Sequence, residues 1–243
     1  MTQPDYRARL LAQYVSTHTS VSGALTGLER RKPYLDRLVR DHFPSDRGAA
    51  ILDLGCGHGA ILWAASRAGY TNLQGVDASP EQVAAAQQLG VTGVRLGDLD
   101  TALAATPDKS QDLVILFDLL HYFAPEKQFA IADQVHRVLK PGGRWIVHVP
   151  NGEALFGARM RYWDYLATGA FTRASIGQLM RACGFAEVRC FEDTPVAHGA
   201  ASAARWLAWK IVRNTARFAL AAETGETDAI FSQLLLAVAF KAG

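Results

Sequence analysis

Short apolar runs alternate along the chain with amphipathic helical patterns. The runs that predict strands lie at residues 50–54, 72–76, 93–96, 112–117, 143–149, 186–192 and 231–240. Helix boundaries are marked too: Ser79-Pro80-Glu81 offers a cap, a proline in the first turn and an acid, and Pro141-Gly142-Gly143 stops a helix at Lys140. Strands that alternate with helices predict an α/β fold with a parallel sheet.

Two long segments interrupt this alternation, and the first follows the fifth strand, at residues 150–172. It carries aromatic and charged residues, namely Arg159, Arg161, Tyr162, Trp163, Asp164, Tyr165 and Phe171. Loops beyond strand ends are common docking sites, because a rigid scaffold holds them. Aromatic faces stack on C–H groups, and charged groups bond hydroxyls, so a sugar or another polyhydroxyl is one interpretation. The alternative is that these aromatics form the core of a capping helix.

The second segment, residues 193–230, predicts a helix at 201–222. Its apolar face comprises Ala204, Leu207, Ala208, Ile211, Val212, Phe218 and Ala219, and Arg205, Trp206, Trp209, Lys210, Arg213 and Arg217 occupy the rest. Cations with tryptophans on an amphipathic helix suit anionic lipid headgroups, so peripheral membrane contact is one hypothesis. The alternative is a helix packed on the domain or on a twin subunit, with solvated arginines.

The N-terminal 48 residues precede the first strand and predict a helical cap or lid on a domain spanning residues 49–243. Within them, residues 34–43 form an amphipathic pattern that predicts a helix packed on the sheet. The earlier stretch Tyr14-Val-Ser-Thr-His18 is the better candidate for the lid.

The strongest indication of a ligand in the sequence is a glycine-rich loop. Residues 51–60 read Ile-Leu-Asp-Leu-Gly-Cys-Gly-His-Gly-Ala, an apolar strand that ends in an acid and turns into a helix. Glycine allows a sharp turn and lets a ligand approach backbone amides that open the next helix. The spacing Gly55-x-Gly57-x-x-Ala60, with Asp77 as a ribose acid, also fits a dinucleotide site.

The acids around the loop distinguish these two interpretations. Asp53 precedes the first glycine, and Asp98 follows the third predicted strand. Pyrophosphate favours glycines and helix dipoles without a nearby acid, whereas Asp53 suits a positively charged ligand. A sulfonium cofactor with an ammonium group therefore fits better.

These motifs resemble those of the class I S-adenosylmethionine-dependent methyltransferases over roughly residues 49–191. The resemblance implies a Rossmann-like sheet of seven strands, mostly parallel with the last antiparallel, and helices on both faces. It places Asp53, Gly55 and Gly57 at the aminoacyl arm of the cofactor, Asp77 at the ribose hydroxyls, and Asp98 with Leu99 at the adenine. Tyr14, Cys56, Ala78 and Phe117 complete the cofactor residues that it implies.

The C-terminal half resembles a subgroup associated with O-antigen and other polysaccharide gene clusters. The shared residues include His148-Val-Pro-Asn151, Phe171-Thr172, Pro195-Val-Ala-His-Gly199 and Ala222-Glu-Thr-Gly225, besides Arg161, Tyr162 and Asp164. That likeness implies that Arg161, Tyr162 and Asp164 bind the substrate. This chain departs from the subgroup at Leu166-Ala167-Thr168, where a Thr-His-Glu-like triplet is expected, so a histidine base is missing there.

Histidine is the usual general base for deprotonating a hydroxyl at neutral pH. His121 after strand four, His148 on strand five and His198 after strand six are the candidates. We favour His121, because in the family the turn after strand four faces the transferred methyl. Each of the three could equally be a packed or surface group.

The composition bears on the substrate class, on metal binding and on the cellular location. The chain has 243 residues, is 49% hydrophobic and has a net charge of +2, which argues against nucleic-acid substrates. The three cysteines show no metal-ligand spacing, and we expect no metal. The first residues lack an apolar signal core, and no apolar run would span a bilayer, so we expect a cytoplasmic protein.

We therefore predict a cytoplasmic S-adenosylmethionine-dependent methyltransferase that acts on a hydroxyl of a sugar or lipid-linked glycan. One alternative is a methyltransferase of a small metabolite or quinone-type lipid. The others are a nicotinamide-dependent dehydrogenase and a cofactor-binding domain without catalysis.

Overall fold

The computed structural model describes residue 10, residues 24–194, residue 196 and residues 199–243. Its strands are β1 (Ile51–Leu54), β2 (Leu73–Asp77), β3 (Val94–Leu96), β4 (Gln111–Phe117), β5 (Leu139–Pro150), β6 (Glu187–Glu192) and β7 (Leu234–Phe240). They form one seven-stranded sheet in the order β3-β2-β1-β4-β5-β7-β6. The pairs from β3 to β5 are parallel, and β7 runs antiparallel to both β5 and β6. The predicted fold class is confirmed.

Helices cover both faces of this sheet. They are α1 (Ala24–His42), α2 (Ala60–Arg67), α3 (Pro80–Gln88), α4 (Leu99–Ala105), α5 (Pro125–Val138), α6 (Gly157–Arg161), α7 (Arg173–Ala182) and α8 (Ala200–Thr224). Successive strand residues face opposite sides, so Leu113 and Ile115 pack with α1 and α2, whereas Val114 and Leu116 pack with α4, α5 and α7. Two apolar cores result, one on each face.

Helix α1 confirms the amphipathic pattern at residues 34–43 and begins ten residues earlier, at Ala24. Its buried residues include Leu28, Leu35, Leu38 and Val39, which share one helical face and pack in the core with α2. The Arg144 side chain donates to the carbonyl of His42 at 3.1 Å and so satisfies an acceptor at the end of the helix. Tyr14, in the stretch predicted as a lid, lies outside the described residues.

Strand β5 begins earlier than the sequence pattern predicts. The preceding helix ends at Val138, and Leu139 already pairs with Gln111 of β4. The register then shifts between Gln111 and Leu113, and Gly142 has a φ of +73°, which glycine adopts without strain. Hydrogen bonds across the sheet thus extend the strand through Pro141-Gly142-Gly143, which the pattern predicted as a break.

The predicted helix at 201–222 is confirmed as α8, which lies between β6 and β7 in the chain. Its position corrects the prediction for two of its cations, because Arg213 and Arg217 both pair with Glu192, the last residue of β6. None of its residues is buried, and its apolar face is exposed instead of packed on the domain. None of the described helices is long and apolar enough to cross a membrane.

Candidate active site

The glycine loop connects β1 to α2 at the carboxyl edge of the sheet. Its three glycines, Gly55, Gly57 and Gly59, have φ values of +71°, +57° and +77°, a region that other residues rarely adopt. A Cβ on Gly55 would lie 2.6 Å from Cδ2 of Leu119, in the turn after β4. Both the turn and the close approach therefore require glycine at this position.

Asp77 fastens the loop to the end of β2. Its Oδ2 accepts from the Gly57 amide at 2.7 Å, and its Oδ1 accepts from the Ser79 amide at 2.8 Å. Burial raises the pKa of the Asp77 carboxyl, and the two amides oppose that rise. Each carboxylate oxygen keeps a second lone pair, so Asp77 can also accept from two ribose hydroxyls. Ala78 beside it is exposed.

Asp53 is buried on β1, and neither of its carboxylate oxygens has a hydrogen-bond partner. Burial, assisted by the nearby Asp77 carboxylate, raises the pKa of Asp53 to about 8. A buried carboxylate without a partner is unfavourable unless a ligand supplies the missing donor. An ammonium group on a ligand would supply both the hydrogen bonds and the positive charge, so the site fits a cationic aminoacyl arm.

The remaining predicted cofactor residues have varied surroundings. The Cys56 sulfur lies against the sheet, where a Cβ on Gly75 would come within 2.8 Å of it, and burial raises the pKa of its thiol. Asp98 is the N-cap of α4 and accepts from the Thr101 amide at 2.8 Å. Leu99 begins α4 and packs against the core.

A cluster of two acids around His148 emerges only in three dimensions. His148 Nδ1 lies 2.6 Å from Oδ1 of Asp118, and Nε2 lies 3.2 Å from Oδ2 of Asp193. Phe117 stacks on the His148 ring with centroids 4.0 Å apart. Burial alone would lower the pKa of His148, but the two carboxylates outweigh it and raise that pKa to about 9. The imidazole is therefore protonated at neutral pH, so it pairs with both carboxylates and cannot accept another proton. We call His148 with Asp118 and Asp193 the His148 clamp.

Sequence reasoning missed both acids. Asp118 lies in the turn after β4, directly before Leu119, and has a φ of +56°, which is uncommon outside glycine. An acid in that turn was a usable signal. Asp193 follows β6 and carried no signal, because the antiparallel pairing of β6 and β7 alone brings it near β5.

The His148 clamp makes stability depend on pH. A pKa raised from 6.5 in the unfolded chain to about 9 in the fold contributes stability that is fully present below pH 6.5 and is lost as pH rises through 9. We expect His148→Gln to be less stable than the wild type at pH 6, with the difference shrinking by pH 10. Urea unfolding followed by circular dichroism across this range measures it, and a constant difference would contradict the clamp.

His121, the favoured base, is buried in the turn after β4. Burial lowers its pKa to about 4, so its imidazole is neutral at pH 7, and its Nδ1 has no hydrogen-bond partner. Its ring lies beside Tyr122, with centroids 4.2 Å apart, and the Tyr122 hydroxyl donates to Asp164 at 2.7 Å. The turn thus combines a neutral imidazole with a bonded phenol and carboxylate.

The departure from the subgroup pattern at residues 166–168 has a structural role. The Thr168 amide and hydroxyl both donate to the carbonyl of His121, at 2.9 and 2.8 Å. The Leu166 amide donates to Asp164 at 2.8 Å. Residues 150–172 therefore fold back onto the turn that carries His121, although they lack a histidine of their own.

Most aromatics of this segment are exposed. Tyr162, Trp163 and Tyr165 are more than half exposed, and only Phe171 lies in the core, so the core interpretation is wrong for the first three. Arg161 is exposed beside Tyr162, whereas Asp164 is buried and bonded within the protein. His198 lies outside the described residues.

Comparison with known protein families covers the chain from β1 to the first residues of β5. Residues 51–143 match the family model of a methyltransferase domain. A search of curated proteins finds no match.

Solved structures share the fold. One is a SAM-dependent methyltransferase from Archaeoglobus fulgidus, 18% identical, with a TM-score of 0.64 over 89% of this chain and 100% of that one. Another, 21% identical with a TM-score of 0.66 over 100% of both chains, is a Haloferax volcanii complex that contains the Trm112 methyltransferase activator. A third is Haemonchus contortus phosphoethanolamine N-methyltransferase 2, 16% identical, with a TM-score of 0.60 over 100% of this chain and 58% of that one.

The domain match and the fold define the class. Residues 51–143 are a methyltransferase domain, and the chain has the fold of S-adenosylmethionine-dependent methyltransferases, so both findings support that enzyme class and that methyl donor. These findings favour a methyltransferase over a nicotinamide-dependent dehydrogenase, and the domain without catalysis stays an untested alternative.

Proposed function

We propose that this enzyme methylates a hydroxyl of a sugar on a lipid-linked glycan, at the cytoplasmic surface of a membrane. The carrying observation is the exposed group Arg161, Tyr162 and Trp163, which follows β5 and is joined to the His121 turn through Asp164 and Thr168. Exposed aromatic rings beside guanidinium groups provide stacking faces and hydrogen-bond donors, as polyhydroxyl ligands require.

The donor site in this proposal uses the acids of the carboxyl edge. Asp53 pairs with the ammonium group, Asp77 accepts from the ribose hydroxyls, and Asp98 accepts from the adenine amino group. Gly55 and Gly57 let the loop backbone approach the ligand. The support for these roles is the unpartnered Asp53 carboxylate and the Asp77 anchor on the loop.

Bound S-adenosylmethionine supplies an electrophilic methyl group on a sulfonium. The enzyme's residues need only align the acceptor hydroxyl and receive its proton. His121 is the base in this proposal, because its ring is neutral and its Nδ1 is unpartnered, whereas the carboxylates around His148 keep that ring protonated. Tyr122 and Asp164 hold the turn that orients His121.

Mass spectrometry of cellular glycans, with and without the gene, tests the function. We expect one methyl group to disappear from a glycan component and to return with the wild type, but to return at least tenfold less with His121→Ala. His136→Ala is the matched control. His136 lies on α5 and packs against Phe185, away from the carboxyl edge of the sheet. An unchanged glycan profile would contradict the glycan acceptor but would not contradict the methyltransferase class.

A small metabolite or quinone-type lipid remains the second candidate acceptor. In its favour, Trp206 on α8 is partly exposed and could contact an apolar acceptor, and one similar structure contains phosphomonomethylethanolamine, a small molecule. Transfer of isotope-labelled methyl into a lipid extract, with none into glycans, would favour this candidate.

A further inference from the structure

The outward face of α8 is an uncovered apolar stripe, formed by Leu207, Ile211 and Phe218. These side chains are 55%, 62% and 76% exposed. They recur at spacings of four and seven residues, so they share one side of the helix, and Ala200, Ala204 and Ala222 extend that side. Isolated exposed apolar residues are ordinary, but an aligned stripe on a 25-residue helix indicates an interaction surface.

The opposite side of α8 fixes the stripe in its outward orientation. Arg213 and Arg217 both pair with Glu192, and Arg217 Nε also donates to the carbonyl of Ala229 at 3.0 Å. Glu192 in turn accepts from the Phe231 amide at 3.1 Å. Rotating the helix to bury the stripe would break these bonds and leave Glu192 largely buried without its cations.

The charges beside the stripe select its partner. Lys210 lies beside it at 100° per residue, and Arg205 is exposed farther round the same helix. Residues 200–222 contain four cations and no acid, and two of the cations, Arg213 and Arg217, are bonded to Glu192. A second copy docked through this face would bring like charges together. An anionic lipid surface complements both features, because the apolar stripe enters the acyl boundary while Lys210 and the exposed Arg205 meet the headgroups.

A second exposed apolar group lies at the same edge of the sheet. Leu155, Phe156 and Trp163 are exposed in the segment after β5. That segment is tied to the chain after α8, because the Asn151 side chain donates to the carbonyls of Ile230 and Ser232 at 2.7 and 2.8 Å. The exposed Arg159 and Arg161 add positive charge there.

We infer that the α8 stripe docks this enzyme on an anionic lipid bilayer, with the carboxyl edge turned toward the membrane. The stripe lies in the lipid interface, and the segment at residues 155–163 meets the headgroups. This inference rests on the proposed function: docking would let a lipid-linked acceptor reach the active site directly from the bilayer.

Co-sedimentation of the full chain with vesicles tests the inference. The probes are vesicles of phosphatidylcholine alone and of phosphatidylcholine with 40% phosphatidylglycerol, at low and high salt. We expect pelleting with the anionic vesicles that weakens as salt rises. Arg205→Glu with Lys210→Glu should lower vesicle affinity at least tenfold, because each cation near an anionic surface contributes about 1 kcal/mol. Leu207→Ser with Ile211→Ser should have a similar effect.

Arg67→Glu with Lys109→Glu is the control. It makes the same change of charge on two exposed residues at the opposite edge of the sheet, where the parallel strands begin. It should leave pelleting unchanged. Wild-type protein that stays in solution with anionic vesicles overturns the inference, as does equal pelleting of the stripe variants. A concentration-dependent dimer that the stripe variants abolish would overturn it in favour of a second copy. Acceptor-free vesicles test docking and the glycan comparison tests function, so the two can fail separately.

Discussion

Asp53→Asn should bind S-adenosylhomocysteine about 10- to 100-fold more weakly than the wild type, because a charge-assisted hydrogen bond contributes about 1.5–3 kcal/mol. Both Asp53 oxygens are buried without a partner, so the ammonium group of a ligand is the donor that they lack. Asparagine keeps the shape of the side chain and removes the negative charge. Isothermal titration calorimetry at pH 8 measures the effect.

The same substitution should change the pH dependence of the ligand-free protein. Burial raises the pKa of Asp53 from 3.8 to about 8, so the fold favours the neutral carboxyl and the wild type loses stability as pH rises from about 4 to about 8. Asp53→Asn lacks that loss, so it should match the wild type near pH 4 and exceed it near pH 9. Wild-type affinity for the ligand should rise over the same range, since the ammonium group binds the ionised form.

Asp108→Asn is the matched control, because Asp108 is an exposed acid paired with Arg137, remote from the glycine loop. It should bind S-adenosylhomocysteine as the wild type does. Equal affinities for the wild type and Asp53→Asn would show that Asp53 does not contact the ligand. If Asp53→Asn bound S-adenosylhomocysteine more weakly but its affinity still rose with pH as in the wild type, a group other than Asp53 would cause the pH dependence.

Trp145→Ala should lower the free energy of unfolding by about 3–5 kcal/mol, as complete truncation of a buried tryptophan does. Trp145 is fully buried in the centre of the sheet, pairs with Val114 on β4 and Ala239 on β7, and packs on Phe185 with ring centroids 5.5 Å apart. Its removal leaves a cavity that the surrounding strands cannot close. Urea unfolding followed by far-ultraviolet circular dichroism measures the loss.

The same substitution at an exposed site provides the control. Trp163→Ala removes a side chain that is 63% exposed and should change the unfolding free energy by no more than about 0.5 kcal/mol. Trp145→Phe should be less destabilising than Trp145→Ala, because it leaves a smaller cavity and removes a buried indole N–H that has no acceptor. Similar losses for the two alanine variants would mean that Trp145 does not fill the core.

The strand positions and the glycine loop could be predicted because local signals specify both. Alternating apolar runs and helix caps located the strands to within a few residues, except at β5, where pairing of Leu139 with Gln111 extends the strand beyond its local pattern. Gly55, Gly57 and Asp77 were recognisable because a tight turn needs glycine, and an acid at the carboxyl end of a parallel strand lies where ligands bind in such sheets.

The surroundings of two of the candidate histidines, His121 and His148, depended on residues far apart in the chain. His121 and His148 looked alike as sequence candidates, yet the pKa of one is lowered to about 4 and that of the other is raised to about 9. The difference arises because Asp118 and Asp193 flank His148, whereas burial dominates around His121. No spacing rule reveals such a contact, since β6 must pair with β7 before Asp193 reaches β5.

Sequence by itself determined the α/β class, the glycine loop and the positions of the acids around it, because strand periodicity and backbone conformation are local properties. Tertiary structure alone decided which side of α8 faces the protein. The arginines that seemed free for lipid or solvent are bonded to Glu192, and the apolar stripe that seemed fit for packing is exposed. Helical periodicity defines two faces but not their orientation, which is set by the partners that folding brings close.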